Sequence, residues 1–274
     1  MYKKIGIGIV IILIIILSLV LINMNKGLND MKVYFFKAGK ADSILIYNNK
    51  YNILIDTGEE DLADDIIKYL EDNNFDKIDY LIITHFDKDH VGSASKIIDR
   101  FNVEHVIHSN YPKDSEYYNA YMESLNKKGI TPLFPVSEMS VTLDDIDIYI
   151  NPPRTIYSTD PSNNSSLIVK VIHKKNSFLF MGDAEDDRIT DYLSEHKEES
   201  TVLKVPYHGK YQDSLEELIS IVKPKYSVIT SGKKKQEDMD TLTILSKYTS
   251  KYYLTREGSI LITSDGENID VKQQ

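Results

Sequence analysis

The stretch from Tyr80 to Gly92 limits what this chain can fold into more than any other. Tyr80-Leu81-Ile82-Ile83 is an unbroken apolar run of strand length, the pattern of a strand buried on both faces of an α/β fold. It runs directly into Thr84-His85-Phe86-Asp87-Lys88-Asp89-His90-Val91-Gly92. Gly92-Ser93 then reads as a turn and N-cap opening a helix through Ala94–Arg100. Two imidazoles and two carboxylates therefore occupy one tight loop at the C-terminal end of a buried strand, where open α/β sheets place their ligands. Imidazole nitrogen and carboxylate oxygen suit zinc or manganese, which makes His85, Asp87, Asp89 and His90 candidate metal ligands. A solvated charged loop would carry the same letters, so the reading depends on what other strand ends supply.

Three other strand ends supply matching groups. Val33–Phe36, Ser43–Tyr47 and Tyr51–Ile55 read as strands, and Asp56-Thr57-Gly58 closes the third. Asp56 is either a turn residue or a carboxylate that holds a ligating imidazole from behind. After the metal loop, Val103–His108 reads as a strand, Ser115–Lys128 as a helix stopped by Gly129, and Val141–Ile150 as one half-buried strand. Ser166–Ile172 and Phe178–Met181 flank a turn at Lys174-Lys175-Asn176, and the second strand runs into Gly182-Asp183 before a helix from Glu185. Asp183 thus repeats the position of the metal loop, and a carboxylate there can bridge two cations. Val202–Pro206 leads to Tyr207-His208-Gly209, where the glycine permits an awkward backbone. Each of these groups has an ordinary explanation alone; together they point to one metal centre. His105 and His108 read as ordinary strand histidines, and His173 and His196 as surface residues.

Ahead of this domain, Ile5 to Ile22 is apolar or glycine throughout, apart from Ser18. A helix of that length spans roughly 27 Å, close to a bilayer's hydrocarbon core. The run ends in Asn23-Met24-Asn25-Lys26 without a small-residue cleavage pattern, so it reads as an uncleaved anchor. Lys3 and Lys4 precede it and only Lys26 closely follows. The positive-inside rule then predicts a cytoplasmic tail at 1–4, a single-pass anchor at 5–22, a linker at 23–30 and an extracellular domain at 31–274. The absence of cysteine excludes thiol catalysis, disulfides and Cys-ligated metal. A net charge of −10 argues against a general nucleic-acid-coating protein. The Lys233-Lys234-Lys235 run reads as a solvated loop. No feature points to a protein partner.

His85-x-Asp87-x-Asp89-His90 resembles the H-x-H-x-D-H metal signature of the metallo-β-lactamase superfamily, with Asp87 in place of the second His. The order Asp56, His85/Asp87/Asp89/His90, Asp183, His208 is similar to the superfamily's motif order. The H-x-D-x-D-H form is similar to that of the extracellular hydrolase domain of ComEC-type competence DNA-uptake proteins. Gly39-Lys40-Ala41-Asp42-Ser43, Asn163–Leu167, Leu203–Gly209 and Tyr253–Ile260 resemble further segments of that domain, with Tyr207 replacing a His. The resemblance runs from about Val33 to Gly266 and implies an α/β, four-layer αββα metallo-β-lactamase-like sandwich, here preceded by one N-terminal transmembrane helix. The superfamily's middle metal-binding His has no counterpart, and Asn163–Ser166 occupies its stretch.

The resemblance implies two divalent ions, zinc or manganese. His85, Asp87 and Asp183 would hold the first, weak or empty; Asp89, His90, His208 and Asp183 would hold the second. Asp89 would be the catalytic residue, orienting a metal-bridged hydroxide; Asp56 would support the ligands, and Ser166, Tyr207 and Lys210 would touch substrate. The expected activity is hydrolysis of a phosphodiester, in DNA or in a phosphorylated surface polymer. The alternatives are a lactam, lactone or thioester hydrolase of the same fold, and an inactive surface-binding module. The lipid bilayer would be met through residues 5–22.

Overall fold

Strand alternation decides the architecture, because the central strands of both sheets are apolar on both faces. The computed structural model describes residues 30–249 and 251–274. The expected tail at 1–4, anchor at 5–22 and almost all of the linker at 23–30 lie outside the described residues. Among the described residues, no helix is long and apolar enough to cross a membrane.

The first half forms an antiparallel meander, β1 (Met31–Phe35), β2 (Ser43–Tyr47) and β3 (Asn52–Thr57). The chain then crosses through α1 (Ala63–Asp72) to β4 (Lys77–Ile83). Next come the single turn α2 (Lys88–Val91), α3 (Ala94–Arg100) and β5 (Asn102–His108). Both β4 and β5 add in parallel. After α4 (Glu116–Lys128), the second half repeats the plan with β6 (Met139–Leu143), β7 (Ile146–Asn151), the short α5 (Pro161–Asn164), β8 (Ile168–His173) and β9 (Asn176–Phe180). Then α6 (Asp186–Glu195), β10 (Val202–Lys204), α7 (Leu215–Val222), β11 (Tyr226–Ile229), α8 (Met239–Tyr248) and β12 (Lys251–Leu254) alternate as parallel crossovers. Finally β13 (Ile260–Ser264) and β14 (Ile269–Gln273) return to the first sheet beside β1. The two seven-stranded sheets run β14-β13-β1-β2-β3-β4-β5 and β12-β11-β10-β9-β8-β7-β6.

Three apolar clusters show the layers. Val33, Phe35, Ile44, Ile46, Ile53 and Ile55 face Ile148, Val169, Val171, Phe178 and Phe180 between the sheets. Their neighbours Tyr34, Leu45 and Leu54 point the other way, against Ile66, Leu70, Ile97 and Ile98 of α1 and α3. On the second sheet, Leu179 and Leu203 pack under Ile189, Leu218, Ile219 and Leu245 of α6, α7 and α8. The period of two therefore sends alternate residues of one strand to two different apolar layers. Each fully buried aliphatic or aromatic side chain contributes about 1.5–3 kcal/mol. This is the expected αββα sandwich.

Local differences from the expected elements have physical causes. The strand expected over Val141–Ile150 is a hairpin of β6 and β7, turned at Asp144 with φ 54°. Ser93 does not cap α3 with its side chain; its hydroxyl donates to the Glu59 carbonyl instead. His173 is buried rather than surface-exposed, with Nδ1 2.9 Å from Ser264 Oγ. Ser115, by contrast, caps α4 by accepting from the Tyr118 N–H, and Gly129 ends it with φ 69°.

Candidate metal centre

The C-terminal ends of β3 and β4 in one sheet and of β9 and β10 in the other meet at one edge of the sandwich. Backbone hydrogen bonds fasten the loops there: Leu167 N–H donates to Thr84 O, Asp42 N–H to Asp89 O, and Tyr207 N–H to Gly182 O. Four side chains converge, Asp89, His90, Asp183 and His208, whose donor atoms all lie within 4.8 Å of one another. His90, Asp183 and His208 are buried and Asp89 is part-exposed on the open side.

The imidazoles are held from behind. Asp56, fully buried, accepts from His90 Nδ1 at 2.8 Å and from the Thr84 N–H and hydroxyl at 2.7 Å each. Because the Thr84 hydroxyl proton goes to Asp56, its oxygen is free to accept from His85 Nδ1, 3.2 Å away. His208 Nδ1 donates to the Thr230 carbonyl at 3.0 Å. With every Nδ1 committed as a donor, each Nε2 is the ring atom left to meet a cation. His85 Nε2, His90 Nε2, His208 Nε2 and Asp183 Oδ1 are buried without a hydrogen-bond partner. Asp183 oxygens lie 3.3 Å from His90 Nε2 and 3.0 Å from His208 Nε2, without hydrogen-bond alignment. Buried polar atoms orphaned together are rare and call for an explanation. A cation at their common focus supplies one, so Asp89, His90, Asp183 and His208 fit a divalent metal.

The backbone bends to achieve this. Asp56, Tyr207 and His208 have φ of 55°, 46° and 52°, left-handed conformations that cost non-glycine residues about 1–3 kcal/mol each. Gly209 follows at φ 78°, and a Cβ there would meet Glu237 Cβ and Ile229 Cγ2 at 2.8 Å.

Electrostatics follow from burial and proximity. Burial, with His90 alongside, pushes His85 down to about 3, so it is neutral. Burial also opposes charge on His90, but Asp183 and Asp56 outweigh it and lift its pKa well above the usual value. Asp183 is the converse: burial raises it, yet His208 and His90 hold it well below the usual carboxylate range. Burial, with the Asp42 carboxylate nearby, raises Asp56 above the ordinary value, partly offset by His90 and Thr84.

Other expected residues stand apart from the four. His85 adjoins the group, its ring centroid 4.0 Å from that of His90. Asp87 turns to Lys113, with Nζ 2.5 Å from its Oδ1, and accepts from the Ser162 hydroxyl. Ser166, expected to touch substrate, is fully buried, accepts from the Asp183 N–H at 3.1 Å and lies 3.3 Å from His85 Nδ1, placed to orient those two. Lys210 pairs with Asp238 at 2.9 Å. Tyr207 lies at the rim with the Lys40 ammonium 4.9 Å from its ring centre.

Lys204 was missed. It is fully buried, donates to the Gly182 carbonyl at 2.8 Å, pairs with Asp42, and lies 3.7 Å from Asp183 Oδ1. Asp42 in turn accepts from the Thr230 hydroxyl at 2.5 Å. The available signal was a lysine inside the apolar run Val202-Leu203-Lys204-Val205.

The family model of the metallo-beta-lactamase superfamily matches residues 37–233. The chain belongs to that superfamily. It is thus a metal-dependent hydrolase by family, and the fold implies divalent metal binding. Over 179 residues it is 26% identical to "ComE operon protein 3" of Bacillus subtilis (strain 168), covering 61% of this chain and 22% of the relative. Over 202 residues it is 28% identical to "Recombination protein 2" of Haemophilus influenzae, covering 72% and 24%. These matches bear out the ComEC-type resemblance of the motifs. The chain spans about a quarter of the length of these relatives. Among solved structures, the metallo-beta-lactamase fold protein YhfI from Bacillus subtilis superposes with a TM-score of 0.57 at 11% identity, covering 89% of this chain and 99% of that one. A putative metal-dependent hydrolase from Parabacteroides distasonis gives 0.54 at 14% identity, covering 82% and 93%. At such identities these two speak for the fold alone.

Proposed function

We propose that this superfamily member is a membrane-anchored phosphodiesterase acting on DNA or on a phosphorylated surface polymer. The observation that carries the reading is the convergence of unpartnered imidazole Nε2 atoms on Asp89 and Asp183, with ammonium groups at the open side. Lys40 Nζ lies 3.9 Å from Asp89, and Lys113 approaches from the other flank. A divalent ion held by the four converging side chains would supply Lewis-acid polarisation of a phosphoryl oxygen and lower the pKa of a water. Asp89, part-exposed, would orient that water. Lys40 and Tyr207 face the charged oxygens of the ester, which suits an anionic centre better than a neutral lactam. Asp56 and Thr230 keep His90 and His208 in one tautomer throughout.

The relative named for recombination favours DNA as the polymer. The net charge of −10 repels long polyanions from the surface as a whole, so attraction would be confined to the lysines at the mouth. The ion is manganese or zinc; a donor set half carboxylate leans to manganese. The apolar run at 5–22 and its flanking lysines support an anchor with the domain outside the cell.

The test is turnover of bis(p-nitrophenyl) phosphate and single-stranded DNA with added Mn²⁺ or Zn²⁺, beside a chromogenic lactam and a lactone. Lactam or lactone turnover without phosphodiester turnover refutes the reading. Protease added to intact cells should digest the domain; full protection would reverse the orientation.

A further inference from the structure

Asp87 stands where the superfamily's signature has a second metal-binding His, and its surroundings decide what that substitution does. Asp87 Oδ1 lies 3.9 Å from His85 Nε2. That same oxygen accepts from Lys113 Nζ at 2.5 Å and from the Ser162 hydroxyl. Ser162 belongs to α5, next to the Asn163–Ser166 stretch that occupies the place of the superfamily's missing middle His. Two of the residues expected at the first ion position are thus replaced, one by a carboxylate and one by a segment whose hydroxyl holds that carboxylate. A cation already sits on it.

We propose that the Lys113 ammonium takes the place of the first metal ion, so that this centre holds one divalent ion rather than two. The ion is held by Asp89, His90, Asp183 and His208, with His85 as a further donor to it. Lys113 provides the second positive charge beside it.

Other carboxylates here follow the same pattern of ammonium pairing: as Lys113 sits on Asp87, Lys204 sits on Asp42, and Lys40 lies 3.9 Å from Asp89. The consequence for substrate is specific. A cleft of about 360 Å³ opens beside Asp87, lined by Tyr111, Lys113, Asp160, Ser162 and Asn163. Lys113, about one-third exposed, can turn from Asp87 to a phosphoryl oxygen entering from that cleft. A lysine recognises it as a point charge rather than by a bidentate fork.

The inference rests on the metal-dependent reading of the site, and the experiment separates the two. The full chain, purified in detergent and stripped with chelator, is dialysed against Mn²⁺ or Zn²⁺, and bound metal per chain is measured. Wild type should hold about one ion, Lys113→Arg about one, and Lys113→Met about two, because an unpaired Asp87 then becomes available. Asp87→Ala should still hold about one; in a two-ion centre it would drop from two to one. Two ions in wild type overturn the Lys113 proposal and leave the hydrolase reading standing. No bound ion in wild type overturns both. One ion without phosphodiester turnover removes the proposed function but keeps the stoichiometry. If Lys113→Met fails to fold, wild type and Asp87→Ala decide alone.

Discussion

Replacing Lys204 by methionine keeps most of its unbranched side chain, one atom shorter, and removes the charge and its hydrogen-bond donors. In the native state this ammonium pairs with Asp42, donates to the Gly182 carbonyl at 2.8 Å and lies 3.7 Å from Asp183. The carbonyl is not stranded, because the Tyr207 N–H also reaches it at 3.2 Å. Asp42 also keeps the Thr230 hydroxyl at 2.5 Å, but it loses the Lys204 ammonium while remaining fully buried. Breaking a buried pair from one side costs about 3–5 kcal/mol; the surviving partners place this case near 3 kcal/mol. That is roughly a hundredfold in the folding equilibrium. The assay is urea unfolding of residues 30–274 in chelator, where the midpoint should fall by about 1 M for a slope near 3 kcal/mol per molar. Adding Asp42→Asn to Lys204→Met should recover more than half of the loss, since the uncompensated carboxylate is then gone. The stability should also depend on pH through Asp42. Burial raises its pKa, but Lys204, His208 and His90 outweigh burial and hold it below its ordinary value. A carboxyl depressed on folding contributes stability above its unfolded pKa, about 4, and loses it as pH falls through the folded value. Lys204→Met should flatten that acid limb. A loss below about 1 kcal/mol, or no recovery in the double variant, would refute the claim that this pair carries buried charge.

Three further outcomes follow from the same geometry. His90 in the metal-free chain is raised well above its usual pKa by Asp183 and Asp56, against burial, so metal must displace a proton from it; calorimetry in buffers of different ionisation enthalpy should show about one proton released near neutrality and affinity rising with pH. Asp56→Asn should lower metal affinity about 10–100-fold, because the carboxylate that fixes His90 Nδ1 at 2.8 Å is lost; unchanged affinity in competition with a chelator dye would show that His90 needs no such support. Gly209→Ala puts a Cβ 2.8 Å from Glu237 Cβ at φ 78° and should cost more than about 1 kcal/mol in urea unfolding while weakening the metal held by His208; an alanine variant as stable as wild type would mean the turn relaxes freely.

The sequence by itself determined the layers and the positions of the converging ligands. Buried strands are legible because runs such as Leu81-Ile82-Ile83 have no polar face, and a ligand at a strand end appears as the first His or Asp after such a run. His85, Asp183 and His208 stand in that position, Asp89 and His90 follow His85 in the same loop, and Asp56 ends β3 in the same way. What failed locally was also local in cause: a two-Asp turn inside Val141–Ile150 looked like strand alternation because its apolar residues keep the period of two. Tertiary structure alone decided the charge partners. Lys113 meets Asp87 across 26 residues and Ser162 meets it across 75, while Lys204 reaches back to Asp42 from the other sheet. Periodicity records which face of an element is buried, and it contains nothing about which distant loop brings a counter-charge to it. His173 and Ser166 show the same boundary, each a polar residue whose burial depends on a partner from another segment. The number of ions this centre can hold is therefore a property of the folded loops, set by an ammonium that no motif announces.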